Sequence, residues 1–334
     1  MALTVYTDKD VDMGVLKERR VAILGYGNQG HAHALNLRDS GVDVIIGARD
    51  QMSPSGARAK QAGFEVLSYA EATMAADVVM MTLPDEHIPS VYKDHVAPHL
   101  KRGAALGFAH GLAVHFGHIT PSDDVDLFLI GPKGAGRWLR AEYEAGRGLA
   151  CLVAVENDAT GHAKSIALAY ASGLGCGRAG MVETSFREEC ETDLFGEQAV
   201  LCGGIPDLIE AGYDTLVEAG YSPEVAYFEC LHEAKLIVDL MFEAGPQAMR
   251  KAISNTAEYG GYLAGETLVT EETRARMKDI LSDIQSGAFA QKLMDDTARK
   301  SPHLDQLRER YHKPDLEAVG VRVRGLMPWL SPKR

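Results

Sequence analysis

Six short apolar runs, at residues 21–24, 42–46, 76–83, 104–108, 127–130 and 151–155, punctuate the first half of the chain, with helix-compatible stretches between them. Runs of this length without polar alternation fit strands buried on both faces, and their alternation with helices predicts a mostly parallel, doubly wound sheet. Past residue 183 the strand-like runs stop. Long helical segments replace them, for example 223–242 and 271–286, punctuated by Gly203-Gly204, Gly245-Pro246 and Gly260-Gly261. The change of period predicts an α/β domain over 1–182 and an all-α domain over 183–330, and 334 residues suit two cores better than one. The charged segment after Thr297 is expected on the surface.

Composition and charge exclude several classes. Hydrophobic residues make up 46% and charged residues 24% of the chain, an ordinary soluble balance, and no window approaches 18 consecutive apolar residues, so no membrane span is expected. The first twenty residues are polar and carry Asp8, Asp10 and Asp12, which fits neither a secretory signal nor a transit peptide. Cys151, Cys176, Cys190, Cys202 and Cys230 form an odd set without a CxxC pair and read as reduced thiols of a cytoplasmic protein. A net charge of −13, with no basic stripe, opposes nucleic-acid binding.

The first apolar run ends in Gly25-Tyr26-Gly27-Asn28-Gln29-Gly30 and is followed by a helical stretch at 31–38. Strand, glycine turn and helix in that order let a diphosphate approach backbone N–H groups at a helix N-terminus, the Rossmann arrangement. The end of the second run decides between the two nicotinamide dinucleotides. Arg49 with Ser53 and Ser55 suits the 2′-phosphate of NADPH, whereas Asp50 could accept from the 2′-hydroxyl of NADH; the reading favours NADPH with NADH as the alternative. Asp85, where the third run stops, is counted with the cofactor-binding set. His110, in Phe108-Ala109-His110-Gly111, and Lys133, in Gly131-Pro132-Lys133-Gly134, stand at successive strand ends, each followed by glycine. Open α/β sheets bind ligands there, so both are expected to face a nicotinamide and an anionic substrate. His115 and His118 are read as loop residues.

In the second domain, Asp193-Leu-Phe-Gly-Glu197 and Glu229-Cys-Leu-His-Glu233 each set two carboxylates four residues apart, hence on one helix face. Leu194, Phe195, Ala199, Val200 and Leu201 crowd the first pair, and Tyr227, Phe228, Leu231, Leu236 and Ile237 the second. The expectation is of carboxylates aimed into a helical core, which would need a counter-charge. An all-oxygen donor set points to Mg²⁺ or Mn²⁺ rather than Zn²⁺. The plainer alternative is a pair of solvated helix faces.

The segments 25–34, 108–111, 191–204, 227–233 and Ser-Asn-Thr-Ala-Glu-Tyr-Gly at 254–260 together resemble ketol-acid reductoisomerase in its short, class I form, through to Leu326-Met-Pro-Trp-Leu330. The resemblance implies a Rossmann domain followed by a knotted helical domain, NAD(P)H and two Mg²⁺ ions. It implies that Asp193 bridges both metals, that Glu197 holds the first, and that Glu229 and Glu233 are given across a homodimer or an assembly of dimers with shared sites. It further implies that Ser254 bonds the substrate carboxylate, that Gly136 and the turn from Tyr26 to Gln29 touch the cofactor, and that His110, Lys133 and Glu233 act at the reacting centre, with Glu233 handling the proton.

The implied reaction is Mg²⁺-dependent alkyl migration in 2-acetolactate or 2-aceto-2-hydroxybutyrate coupled to reduction, a step of valine and isoleucine synthesis. The family's usual Ala-Pro-Lys-Gly-Pro-Gly-His appears here as Gly131-Pro-Lys-Gly-Ala-Gly-Arg137, its Gly-Val-Pro as Gly148-Leu-Ala150, and its Gly-Phe-Asn-Ile as Gly111-Leu-Ala-Val114. These departures leave open a paralogue acting on a related 2-keto or acetohydroxy acid. A dinucleotide-binding sensor is disfavoured by the intact acidic motifs.

Overall fold

A single nine-stranded sheet organises the first of two units into which the chain divides, one ending at Thr192 and the other beginning at Asp193. The computed structural model describes residues 3–330. The strands are β1 (Val5–Tyr6), β2 (Arg20–Leu24), β3 (Asp43–Ala48), β4 (Glu65–Ser68), β5 (Val78–Met81), β6 (Ala105–Phe108), β7 (Asp126–Pro132), β8 (Cys151–Asn157) and β9 (Met181–Glu183). Their order is β1-β9-β8-β7-β6-β5-β2-β3-β4. Pairing is parallel from β4 through β7 and between β8 and β9, and antiparallel between β7 and β8 and between β1 and β9.

The chain runs outward from β2 to β4 and returns to β5 on the other side of β2, which opens a crevice at the carboxyl ends of β2 and β5. Alternate residues of each strand feed opposite faces. Val21, Ile23, Ile46, Met80 and Phe128 join one apolar cluster with Tyr170, while Ala22, Leu24, Ile45, Val79 and Leu129 join another with Phe108 and Phe186. Burial on both faces is why these strands appear as unbroken apolar runs. Three strands lack that signature. β1 and β4 are edge strands with partly exposed residues, and β1 has only two residues and β9 three, so none of them carries an apolar run of strand length.

The second unit is helical throughout its described residues. Its core gathers Tyr213, Ala226, Tyr227, Leu316, Val319 and Val323. Two expectations change here. The segment 223–242 is not one helix: Pro223–Tyr227 passes into a π-helical turn, Phe228–His232, before Ala234–Ala244 resumes. The part of the chain after Thr297 is not wholly superficial, because Pro314–Gly325 places Leu316, Val319 and Val323 at helical spacing along one buried face. The helix expected over 271–286 is observed as Glu271–Gln285. Among the described residues no helix is long and apolar enough to cross a membrane.

Candidate active site

β2 ends at Leu24, and the chain turns through Gly25 with φ +102°, a conformation that side chains with a Cβ rarely adopt. Gly27 precedes the helix Asn28–Asp39, and a Cβ there would meet nothing within 4 Å, so space is kept open above the helix N-terminus. Gly30 packs on the Gly25 carbonyl and the Thr82 hydroxyl. Gln29 Nε2 donates to the Gly134 carbonyl at 3.0 Å, and the backbone at Gly136 lies so close to Asn28 that a Cβ would collide with it. The turns after β2 and β7 are therefore braced together.

A crevice of about 510 Å³ opens over this turn, lined among others by Gly25, Tyr26, Gly27, Arg49, Ser53 and Ser55. Ser53 caps the helix Pro54–Gln61: its Oγ accepts from Gly56 N–H at 3.2 Å and donates to the Asp50 carbonyl. The Asp50 carboxylate accepts from Met52 N–H at 2.9 Å. Among the described residues no carboxylate forms an ion pair with Arg49, which leaves a guanidinium at the end of β3 facing the crevice. Around the end of β5 the wall is made by Leu83, Pro84 and His87, while the Asp85 charge acts on His110.

His110 and Lys133 follow the ends of β6 and β7, and one buried carboxylate, Glu189, holds both. His110 Nδ1 lies 3.2 Å from Glu189 Oε2, Lys133 Nζ lies 3.3 Å from Oε1, and Gly111 N–H donates to Oε2 at 3.0 Å. The Glu189 side chain is 1% exposed. Gly131 is needed beside it, since a Cβ there would press on Oε1. Burial alone would push His110 down, but its hydrogen bonds to Cys190 and Glu189 and the charges of Glu189 and Asp85 carry it well above 6.5. Burial likewise works against the Glu189 carboxylate, and the His110 and Lys133 charges overcome it, holding its pKa below the ordinary value. The pair is an imidazolium against a carboxylate.

Sequence reasoning missed Glu189. Its signal was present: it lies on the helix Phe186–Phe195 one turn before Asp193, and so on the same face. His115, expected in a loop, closes the short helix Leu112–His115 and pairs with Glu191 at 3.2 Å.

The acidic motifs do not enter a core, which overturns that expectation. Asp193 is half-buried and Glu197, Glu229 and Glu233 are exposed. Their apolar neighbours divide: Leu194, Ala199 and Tyr227 are buried, whereas Leu201 is 61% and Leu236 54% accessible, so the carboxylates lie on the open side of their helices. Both motifs also coincide with π-helical turns, Gly196–Leu201 and Phe228–His232, where i→i+5 bonding widens the helix, a form frequent at functional sites. Among the described residues no cation pairs with Glu229 or Glu233. Their donor set is all oxygen, which fits Mg²⁺. Ser254 is exposed and caps Asn255–Leu268, accepting from Ala257 N–H at 3.2 Å with its own O–H left to donate.

The family model for the acetohydroxy acid isomeroreductase NADPH-binding domain matches residues 15–180, and the model for the ketol-acid reductoisomerase C-terminal domain matches 186–329. The chain belongs to the ketol-acid reductoisomerase family. An NADH-preferring ketol-acid reductoisomerase from an uncultured archean superposes with a TM-score of 0.94 at 42% identity, covering 97% of this chain and 99% of that one. Likeness in fold alone extends further. A semialdehyde dehydrogenase NAD-binding protein from Cupriavidus necator matches at TM-score 0.61 and 20% identity, over 80% of this chain and 99% of that one. A 1-pyrroline-5-carboxylate reductase from Streptococcus pyogenes matches at 0.51 and 17%, over 80% and 98%. As a ketol-acid reductoisomerase, the chain serves branched-chain amino acid synthesis and uses a nicotinamide nucleotide.

Proposed function

We propose that the chain converts 2-acetolactate and 2-aceto-2-hydroxybutyrate to the corresponding 2,3-dihydroxy-3-methyl acids in the cytoplasm, with NADPH and two Mg²⁺ ions, as a homodimer or an assembly of dimers. The observation that carries the reading is the buried Glu189 holding two cations at adjacent strand ends, on the same helix face that continues to Asp193. The His110 imidazolium and the Lys133 ammonium give an anionic, oxygen-rich substrate two positive contacts, and Glu189 keeps both oriented.

Asp193, Glu197, Glu229 and Glu233 would hold the metal, whose chemistry when bound is Lewis-acid polarisation of the ketone and alkoxide oxygens that an alkyl shift requires. NADPH would supply the hydride. Glu233 would take the proton of the substrate's tertiary hydroxyl as the alkyl group migrates from that carbon to the adjacent carbonyl carbon, and Ser254 donates to the substrate carboxylate. The uncompensated Arg49 with Ser53 and Ser55 supports NADPH; the NADH preference of the archaeal relative favours the second reading, NADH, which Asp50 would serve. The five free cysteines suit a reducing compartment. The exposure of Glu229 and Glu233 among apolar neighbours supports a second copy completing the site.

The test is nucleotide oxidation with racemic 2-acetolactate, with Mg²⁺ and then with EDTA, repeated with the rearranged 3-hydroxy-3-methyl-2-oxobutanoate and with NADH in place of NADPH. Metal-dependent turnover of acetolactate with NADPH is expected. Turnover of the rearranged ketone alone would replace the proposal by a simple reductase, and faster turnover with NADH would reverse the cofactor assignment.

A further inference from the structure

We propose that Arg58 is a second anion-binding residue of the dinucleotide crevice, holding the diphosphate and therefore serving NADPH and NADH alike. This rests on the dinucleotide reading above and assigns a residue that neither the glycine turn nor the Arg49, Ser53 and Ser55 group includes. Arg58 belongs to the helix Pro54–Gln61, and its guanidinium reaches back to the glycine turn, where Nη2 donates to the Tyr26 carbonyl at 3.1 Å. A guanidinium has five N–H donors, so one such bond anchors the group and leaves most of its donors for a ligand.

Two cavities meet at this side chain. One is the crevice shared with Arg49; the other, of about 350 Å³, is bounded by Tyr26, Gly27, Asn28 and His31. The floor of the second is the N-terminus of the twelve-residue helix Asn28–Asp39, whose free N–H groups favour negative charge. Among the described residues no carboxylate pairs with Arg58, although the chain carries a net charge of −13. The anchor at Tyr26, next to Gly27, fixes the charge beside the glycine turn, at the end of the crevice that Ser53 and Ser55 also line. A diphosphate bridging the two cavities would meet the helix N-terminus on one side and Arg58 on the other, and guanidinium forks match phosphate oxygens well.

The experiment is equilibrium titration of the full chain with NADPH, NADH and adenosine over a range of KCl concentrations, for wild type, Arg58→Gln and Arg58→Lys, with thermal midpoints recorded for each. Wild type is expected to bind both dinucleotides. Arg58→Gln should weaken both by a similar factor, about tenfold, leave adenosine unmoved and flatten the dependence of affinity on salt, while Arg58→Lys recovers part of the loss. A loss confined to NADPH would make Arg58 a reader of the 2′-phosphate and overturn the proposal. Unchanged salt dependence, with Arg58→Lys no better than Arg58→Gln, would reduce it to a brace for the turn. Affinities within twofold of wild type would also overturn it. Failure of the wild-type chain to bind either dinucleotide would instead overturn the cofactor reading from which it starts.

Discussion

In the first unit Ile23, Ile46 and Phe128 are sealed on one face of the sheet and Leu24, Ile45 and Phe108 on the other, whereas in the second unit Leu201, Leu236, Tyr259 and Phe242 face outward, Phe242 being 89% exposed. Both regions are rich in apolar residues. They differ in who covers them. The sheet closes its two cores with its own helices, while among the described residues the helical unit gathers the smaller cluster around Tyr227 and Val319 and leaves Leu201, Leu236, Phe242 and Tyr259 exposed. Exposed apolar side chains of this kind suit an interaction surface, so a sequence of ordinary soluble composition here encodes one unit that buries its own strands and one that leaves apolar side chains open to the second copy proposed above.

The largest effect expected of this contrast is at the open face. Replacing Leu236 and Phe242 together by Asp should dissociate the proposed assembly and remove activity, whereas Met74→Asp, at an exposed apolar position of the sheet unit, should leave both unchanged; sedimentation and turnover measured on the same samples decide, and an intact active assembly in the double variant would end the comparison. Next, Glu229→Gln should lower turnover at least about a thousandfold while NADPH binding and assembly persist, because it removes a proposed metal ligand without touching a core. Near-normal rates would return the acidic motif to a solvated helix face.

A third variant probes the closed unit. Phe128→Ala removes a fully buried ring and should cost about 3–5 kcal/mol by denaturant unfolding. The same truncation at Phe242 should cost far less in a dissociated variant.

The smallest effect concerns acid. His33 is fully buried against Tyr170, with Nδ1 3.0 Å from the phenol oxygen, and burial pushes it down to about 3 from 6.5. Below pH 6.5 the unfolded chain takes up a proton that the folded chain refuses, so stability falls as pH drops from 6.5 towards 3, by roughly 2 kcal/mol at pH 5. His33→Phe should flatten that slope between pH 7.5 and 5. An unchanged slope would assign the acid sensitivity to other groups.

What was legible in the sequence divides along the same line. The apolar runs at 21–24, 104–108 and 127–130 are strands because residues buried on both faces leave a continuous signal, and β4 escaped notice because an edge strand does not. The glycine turn, His110 and Lys133 were legible because strand ends have a fixed relation to ligands. Glu189 was not, since a buried acid one turn from a known motif looks like any other helix carboxylate until the folded chain brings His110 and Lys133 to it. The depth of the acidic motifs was misread because periodicity reports which residues are apolar and not how deeply the fold buries them. The π-helical turns left no periodic trace at all, since they change the hydrogen-bonding count without changing residue type.

Those wide turns carry a consequence for how the acidic motifs tolerate change. A π-helical turn is an α-helix holding one surplus residue, so removing Gly196, or one of Cys230, Leu231 and His232, would restore regular winding and at the same time cut the spacing of the two carboxylates from four residues to three. Each motif is then specified by a count as much as by an alphabet. Glu197 and Glu233 can keep their identity and still lose their aim through a single deletion that touches neither of them, a kind of lesion that a scan of point substitutions never samples.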